Sequence, residues 1–150
     1  MIPTQAFIDS IGTLLAADPA GFADPTTFLK VALAKAAFTP GAGLELTDLT
    51  VADFGGYAAL HAANATPHLY TDPLTGEQLI VASDPTGGWH WQASSDTNLP
   101  QTIYGYYVTD HSGANLLGSG LLDTPVPLAA VGDGLDIGSI GIRISSVLIS

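Results

Sequence analysis

The chain contains no cysteine, which removes disulfide cross-links, thiolate metal sites and cysteine nucleophiles at once. Basic residues are nearly as scarce: Lys30, Lys35 and Arg143 stand alone against 14 acids in 150 residues. Between Ala36 and Ile142 no basic residue occurs, while eleven acids do. Proteins that grip a nucleic-acid backbone draw most of their affinity from Lys and Arg neutralising phosphates. A net charge of −11 therefore argues against nucleic acid as a partner. The same deficit argues against a polybasic membrane anchor or a site for nucleotide phosphates. No run reaches the ~18 apolar residues that cross a bilayer. The opening residues, from Met1 to Asp9, place no positive charge ahead of their apolar side chains, so no secretory signal is expected.

Charge of either sign is sparse. Only 11% of residues are charged although 47% are hydrophobic, whereas a soluble domain typically carries roughly 25% charged residues. The length suits one domain with a substantial core. Free monomers usually hold more charge for solubility, so part of this surface is expected to be covered, by copies of the chain or by a partner.

Residues 5–17 have the apolar spacing of a helix, with Thr4 as N-cap and Phe7, Ile8, Ile11, Leu14 and Leu15 on one face. Asp18 before Pro19 ends it, so residues 1–27 read as a helical arm and loop. The stretch 28–38 is apolar on every face and bounded by Pro40, Gly41 and Gly43; it reads as a buried strand. Asp48 is expected to cap a short turn over 49–53. Beyond it the chain reads as β. A hairpin over 70–80 is marked by Pro73 and Gly76. Trp89 and Trp91 fall on one strand face, and His90 and Gln92 on the other. Strands are expected at 103–109, 116–122, 126–131 and 140–149. About eight or nine short strands separated by Gly, Pro and Asp predict a single mainly β domain over residues 1–150, an antiparallel β-sandwich or jelly-roll-like fold with one short N-terminal helix.

No catalytic or metal-binding pattern emerges. Asp72, Thr75 and Glu77, and separately Asp133 and Asp136, resemble fragments of calcium loops but lack the spacing of one; turn chemistry accounts for them. His61, His68, His90 and His111 are scattered, with no spacing that places two on one face. Ser119 lies between Gly118 and Gly120, which is not the nucleophile elbow of a hydrolase; the glycines are read as letting another backbone approach. With only Glu45 and Glu77 as glutamates, a carboxylate pair for sugar hydrolysis has little to draw on. No cofactor is implied. Trp89, Trp91, Tyr104 and Tyr106 are the candidate contact residues. They would form either a glycan-stacking platform or an interface between subunits, and the plainer alternative to both is core packing; core packing and interfaces each favour Trp and Tyr.

The segments 30–33 (KVAL), 38–40 (FTP), 46–50 (LTDLT), 54–57 (FGGY), 72–76 (DPLTG), 99–108 (LPQTIYGYYV) and 122–128 (LDTPVPL) carry a resemblance. Together they resemble a group of small, uncharacterised virion structural proteins of tailed bacteriophages and viral metagenomes. The likeness spans residues from about 5 to 149 and consists of core and turn patterns. It implies a non-enzymatic virion component, a capsid decoration, head-fibre or tail module. Such a module would form a homo-oligomer, a trimer or another arrangement about a symmetry axis, and bind other virion proteins such as a major capsid protein. The alternative is a lectin-like adhesion module of the particle.

Overall fold

A computed structural model describes residues 2–3, 30–61, 68–71, 73–74, 78–83, 88–110 and 112–143. Their strand segments are Ile2–Pro3 (β1), Lys30–Ala34 (β2), Leu60–His61 (β3), His68–Thr71 (β4), Gln78–Ser83 (β5), Trp89–Gln92 (β6), Gln101–Thr109 (β7), Leu116–Leu128 (β8), Gly134–Ile137 (β9) and Ser139–Arg143 (β10). The fold is mainly β, with every strand pair antiparallel. Its only described helical element is the 3-10 turn Leu46–Asp48. The helix expected over 5–17 lies outside the described residues.

The strands form a five-stranded sheet ordered β1-β8-β7-β2-β3, a three-stranded sheet ordered β10-β5-β4, and the ribbon β6-β9. β2 has no alternation because both of its faces are buried. Val31 and Leu33 enter the main core, whereas Ala32 and Ala34 join a second cluster on the opposite face. The main core lies where the five-stranded sheet meets the ribbon, with Phe54, Trp89, Trp91, Ile103, Leu128 and Leu135 among its members. In the second cluster Phe38, Leu44 and Leu46 pack on Tyr107 and Leu116. The segment after β2 thus crosses from one face of the sheet to the other.

The edge of β2 is completed piecemeal. β3 pairs only with Lys30 and Val31. Past it, the Leu33 amide donates to the Tyr57 hydroxyl (2.9 Å), the Leu33 carbonyl accepts from Ala52, and the Lys35 amide donates to the Thr50 carbonyl. Each main-chain group thereby keeps a partner, as burial demands. Burial pushes the Tyr57 hydroxyl up to about 12, against the opposing effect of the bond from Leu33. The Phe54 and Tyr57 rings meet edge to face at 5.3 Å, and Trp91 Nε1 donates to the Ala58 carbonyl at 2.9 Å. These contacts seat residues 52–58 firmly on the core.

Several local expectations hold and others shift. β4 and β5 pair with Thr71 opposite Gln78, which is the hairpin read at 70–80. The strands expected at 116–122 and 126–131 are one strand ending at Leu128. Asp133 carboxylate accepts from the Ala129 and Ala130 amides and closes the turn in which Val131 lies. β9 was not foreseen, because Gly134 and Asp136 look like loop residues. Asp48 caps a turn, but from its far end: its carboxylate accepts from the Glu45 amide at 2.9 Å, so the turn precedes Asp48 rather than follows it. Gly120 makes room for a ring rather than a backbone. A Cβ there would lie 2.7 Å from the Tyr106 hydroxyl and its ring carbon.

Candidate functional site

The alternation Trp-His-Trp-Gln in β6 sends Trp89 and Trp91 inward and His90 and Gln92 outward. Trp89 is 2% exposed and Trp91 3%, so both are core residues and neither is available to a glycan or to another subunit. This corrects the expectation that they are contact residues. The physical reason is the ribbon itself: Trp89 sits opposite Ile137 and Trp91 opposite Leu135, an apolar face that has to be covered. Tyr106 is half-buried, packs against the main core and lies over Gly120. Tyr104 goes elsewhere. It lines an open cleft of about 540 Å³ with Lys35, Asp53, Asn98, Gln101 and Thr102, and Leu99 and Pro100 supply its apolar wall.

Three chain segments build this cleft. Lys35 follows the last residue of β2, Asp53 follows the segment that bridges Ala34 at Val51, and 98–104 is the turn into β7. Lys35 Nζ lies 2.6 Å from Asp53 Oδ1, and Gln101 Nε2 donates to the same oxygen at 2.6 Å. Gln101 Oε1 accepts from the Asp53 main-chain amide (3.2 Å), so the side chain of the buried glutamine holds both the carboxylate and the backbone of Asp53. Asn98 sits in the left-handed region with φ of 56°, which asparagine tolerates better than most residues. Its side-chain amide donates to the Asp53 carbonyl at 3.0 Å. The Leu99–Pro100 peptide beside it is cis.

The Lys35 ammonium, then the Gln101 amide, hold the Asp53 carboxyl below its ordinary value. Such a group is ionised and weakly basic at neutral pH. A general acid or base works best with a pKa near the operating pH, so Asp53 is matched to holding Lys35 rather than to moving protons. The hydroxyls of Tyr104 and Thr102 have no hydrogen-bond partner among the described residues. Thr102 and Tyr104, two positions apart in β7, share a strand face, and both line the cleft.

The remaining candidates disperse. Ser119 is fully buried in β8 and its hydroxyl has no partner among the described residues, so it cannot meet a substrate. His90 Nδ1 lies 2.5 Å from Asp136 Oδ1 as an exposed cross-strand pair. The side chains of His61 and His68, and residues Asp72, Thr75, Glu77 and His111, lie outside the described residues. Among those described, no three His, Asp or Glu side chains gather as a metal would require. Burial pushes the Asp110 carboxyl up, but hydrogen bonds from Ser112, Asn115 and Ala114 outweigh it and hold the group below the usual range.

Of the four aromatic candidates only Tyr104 lines this cleft, and sequence reasoning singled out none of Lys35, Asp53, Asn98, Gln101 and Thr102. One signal was present: Lys35 is one of only three cations in the chain and adjoins a buried strand. No protein-family model, curated protein or solved structure matches this chain.

Proposed function

We propose that this chain is a non-enzymatic virion structural protein that assembles with copies of itself and binds a capsid or tail lattice. In this reading it is a single domain of about eight or nine strands whose sheets close as a sandwich or jelly-roll. The observation that carries the proposal is the make-up of the outer surface. Among the residues whose exposure is described, the exposed acids are Glu45, Asp48, Asp53, Asp96, Asp123 and Asp136, and no exposed residue is a lysine or arginine. The others are chiefly Ala, Gly, Thr, Ser, Pro and Asn.

Covering such a surface is thermodynamically cheap. Ala, Gly and Pro lose almost no side-chain entropy on burial, whereas Lys or Glu loses up to ~2 kcal/mol. Stripping water from charge is costly as well, and charged residues are depleted at the centre of interfaces. Many such contacts, each weak, sum through multivalency on a lattice. The acidic excess suits an outward-facing component, because a surface against packaged DNA needs the opposite sign. The resemblance to phage virion proteins supports the setting.

Light scattering of the purified chain tests the assembly. A trimer or other closed oligomer is expected at roughly tens of micromolar, a concentration at which even modest protein interfaces associate. A strict monomer there overturns self-assembly. Imaging of purified particles locates the protein, and its absence from virions overturns the viral assignment.

A further inference from the structure

We infer that the cleft beside Tyr104 binds a neutral saccharide, a short chain of glycosyl units. The inference stands apart from self-assembly and does not depend on it. Its volume of about 540 Å³ lies within the range of small-molecule sites, ~300–1,000 Å³, and leaves room for more than one sugar ring.

The charge of the cleft selects the ligand class. Lys35 and Asp53 neutralise each other at 2.6 Å, so an anionic ligand finds no spare cation while the chain's net charge of −11 repels it. A cationic ligand would have to displace Lys35 from Asp53. A neutral ligand meets neither obstacle. The polar groups select further. Lys35 retains N–H donors beyond its ion pair, Asn98 retains its side-chain carbonyl, and the Tyr104 and Thr102 hydroxyls both donate and accept. A sugar hydroxyl also donates and accepts, and an array of these mixed partners serves it where a purely acidic or purely basic cluster would not. Tyr104 adds a half-buried aromatic surface with a polar tip, suited to the apolar C–H face of a pyranose. Gln101 and Asn98 fix Asp53 from two sides, so the carboxylate that anchors Lys35 is in place before a ligand arrives.

The test is an amide chemical-shift titration of the full chain with millimolar maltotriose, cellotriose and triacetylchitotriose, with digalacturonic acid as the anionic comparison. Saturable shifts confined to residues 98–104 and their neighbours Lys35 and Asp53 are expected with at least one neutral sugar. Tyr104→Ala is expected to weaken that binding about tenfold or more, with the melting temperature lowered by only a few degrees and the chain still folded at the temperature of the titration. Tyr104→Phe, which keeps the ring, is expected to lose less. Shifts from no neutral sugar, shifts elsewhere on the chain, tighter binding of the anion, or undiminished affinity in Tyr104→Ala would each overturn the inference. Because assembly is read separately by light scattering, failure of either proposal is visible without the other.

Discussion

Trp91→Ala separates a packed tryptophan from a displayed one. Trp91 is 3% exposed, faces Leu135 across the ribbon and donates Nε1–H to the Ala58 carbonyl. Truncating a large buried aromatic costs about 3–5 kcal/mol through lost transfer energy and the cavity left behind. For a domain of this size each kcal/mol moves the melting temperature by roughly 2–4 °C, so a fall of roughly 6–20 °C is expected. A displayed tryptophan would behave as a surface residue, with an effect within about 0.5 kcal/mol and a shift of a degree or two. Trp91→Phe isolates the hydrogen bond. It fills most of the space, and Ala58 is exposed, so water takes over at its carbonyl; the loss should be near 1 kcal/mol. Calorimetric melts at fixed protein concentration, with light scattering to confirm a constant oligomeric state, measure both variants. A Trp91→Ala melting temperature within two or so degrees of the parent would refute the burial of the ribbon's inner face.

Gly120→Ala should destabilise the fold by about 1–3 kcal/mol through overpacking, because its Cβ meets the Tyr106 ring; Tyr106→Leu in the same chain should restore part of the loss, as followed by denaturant unfolding. Stability should fall on both pH flanks. On the acid side, Lys35 and Gln101 depress Asp53, the Ala130 and Ala129 amides depress Asp133, and hydrogen bonds outweigh burial at Asp110. The unfolded chain therefore takes up protons first, and stability present above the ordinary carboxyl value of 3.8 is lost as pH drops through the folded values. On the alkaline side, burial raises Tyr57 to about 12 from 10.0, so its contribution is whole below 10 and disappears as pH climbs toward 12. Thermal melts across pH, with spectrophotometric titration of the tyrosines, check both flanks; a melting temperature flat through the acid window, or every tyrosine ionising near 10, would contradict them.

What the sequence made legible was whatever depends on local chemistry. The alternation in β6, the hairpin turn near Pro73 and the strand at Tyr104 and Tyr106 follow from side-chain period and turn residues. The direction of an apolar face does not. Trp89 and Trp91 share a face whether that face is a core or a platform, and only the packing of 52–58 and β9 against it decides. The cleft was illegible for a different reason. Asp53 and Gln101 are 48 positions apart, and nothing in either neighbourhood announces the other. β9 was hidden because Gly134 and Asp136 occupy its outward positions, where a strand needs no apolar residue.

The placement of proline limits how copies of this chain can meet. β8 runs from Leu116 to Leu128, and β1 covers its outer edge only at Gly118 and Ser119. Among the described residues, positions 120–128 of that edge have no strand partner. A strand edge left unpaired is a template for adding another chain strand by strand, which leads to open fibres. Here it carries Pro125 and Pro127, which lack the amide hydrogen that a new strand would need. Its pairing with β7 also breaks register between Ile103 and Gly105, and such irregularities twist an edge away from a neighbour. Lateral growth of the sheet is therefore disfavoured on this side. For the assembly proposed above, the contacts then fall to the faces and turns rich in Ala, Gly and Thr. Face contacts related by rotation close into a ring where the rotation itself closes, so the proposed symmetric oligomer is compatible with this edge, and a continuous fibre propagating through β8 would contradict the reading of the edge.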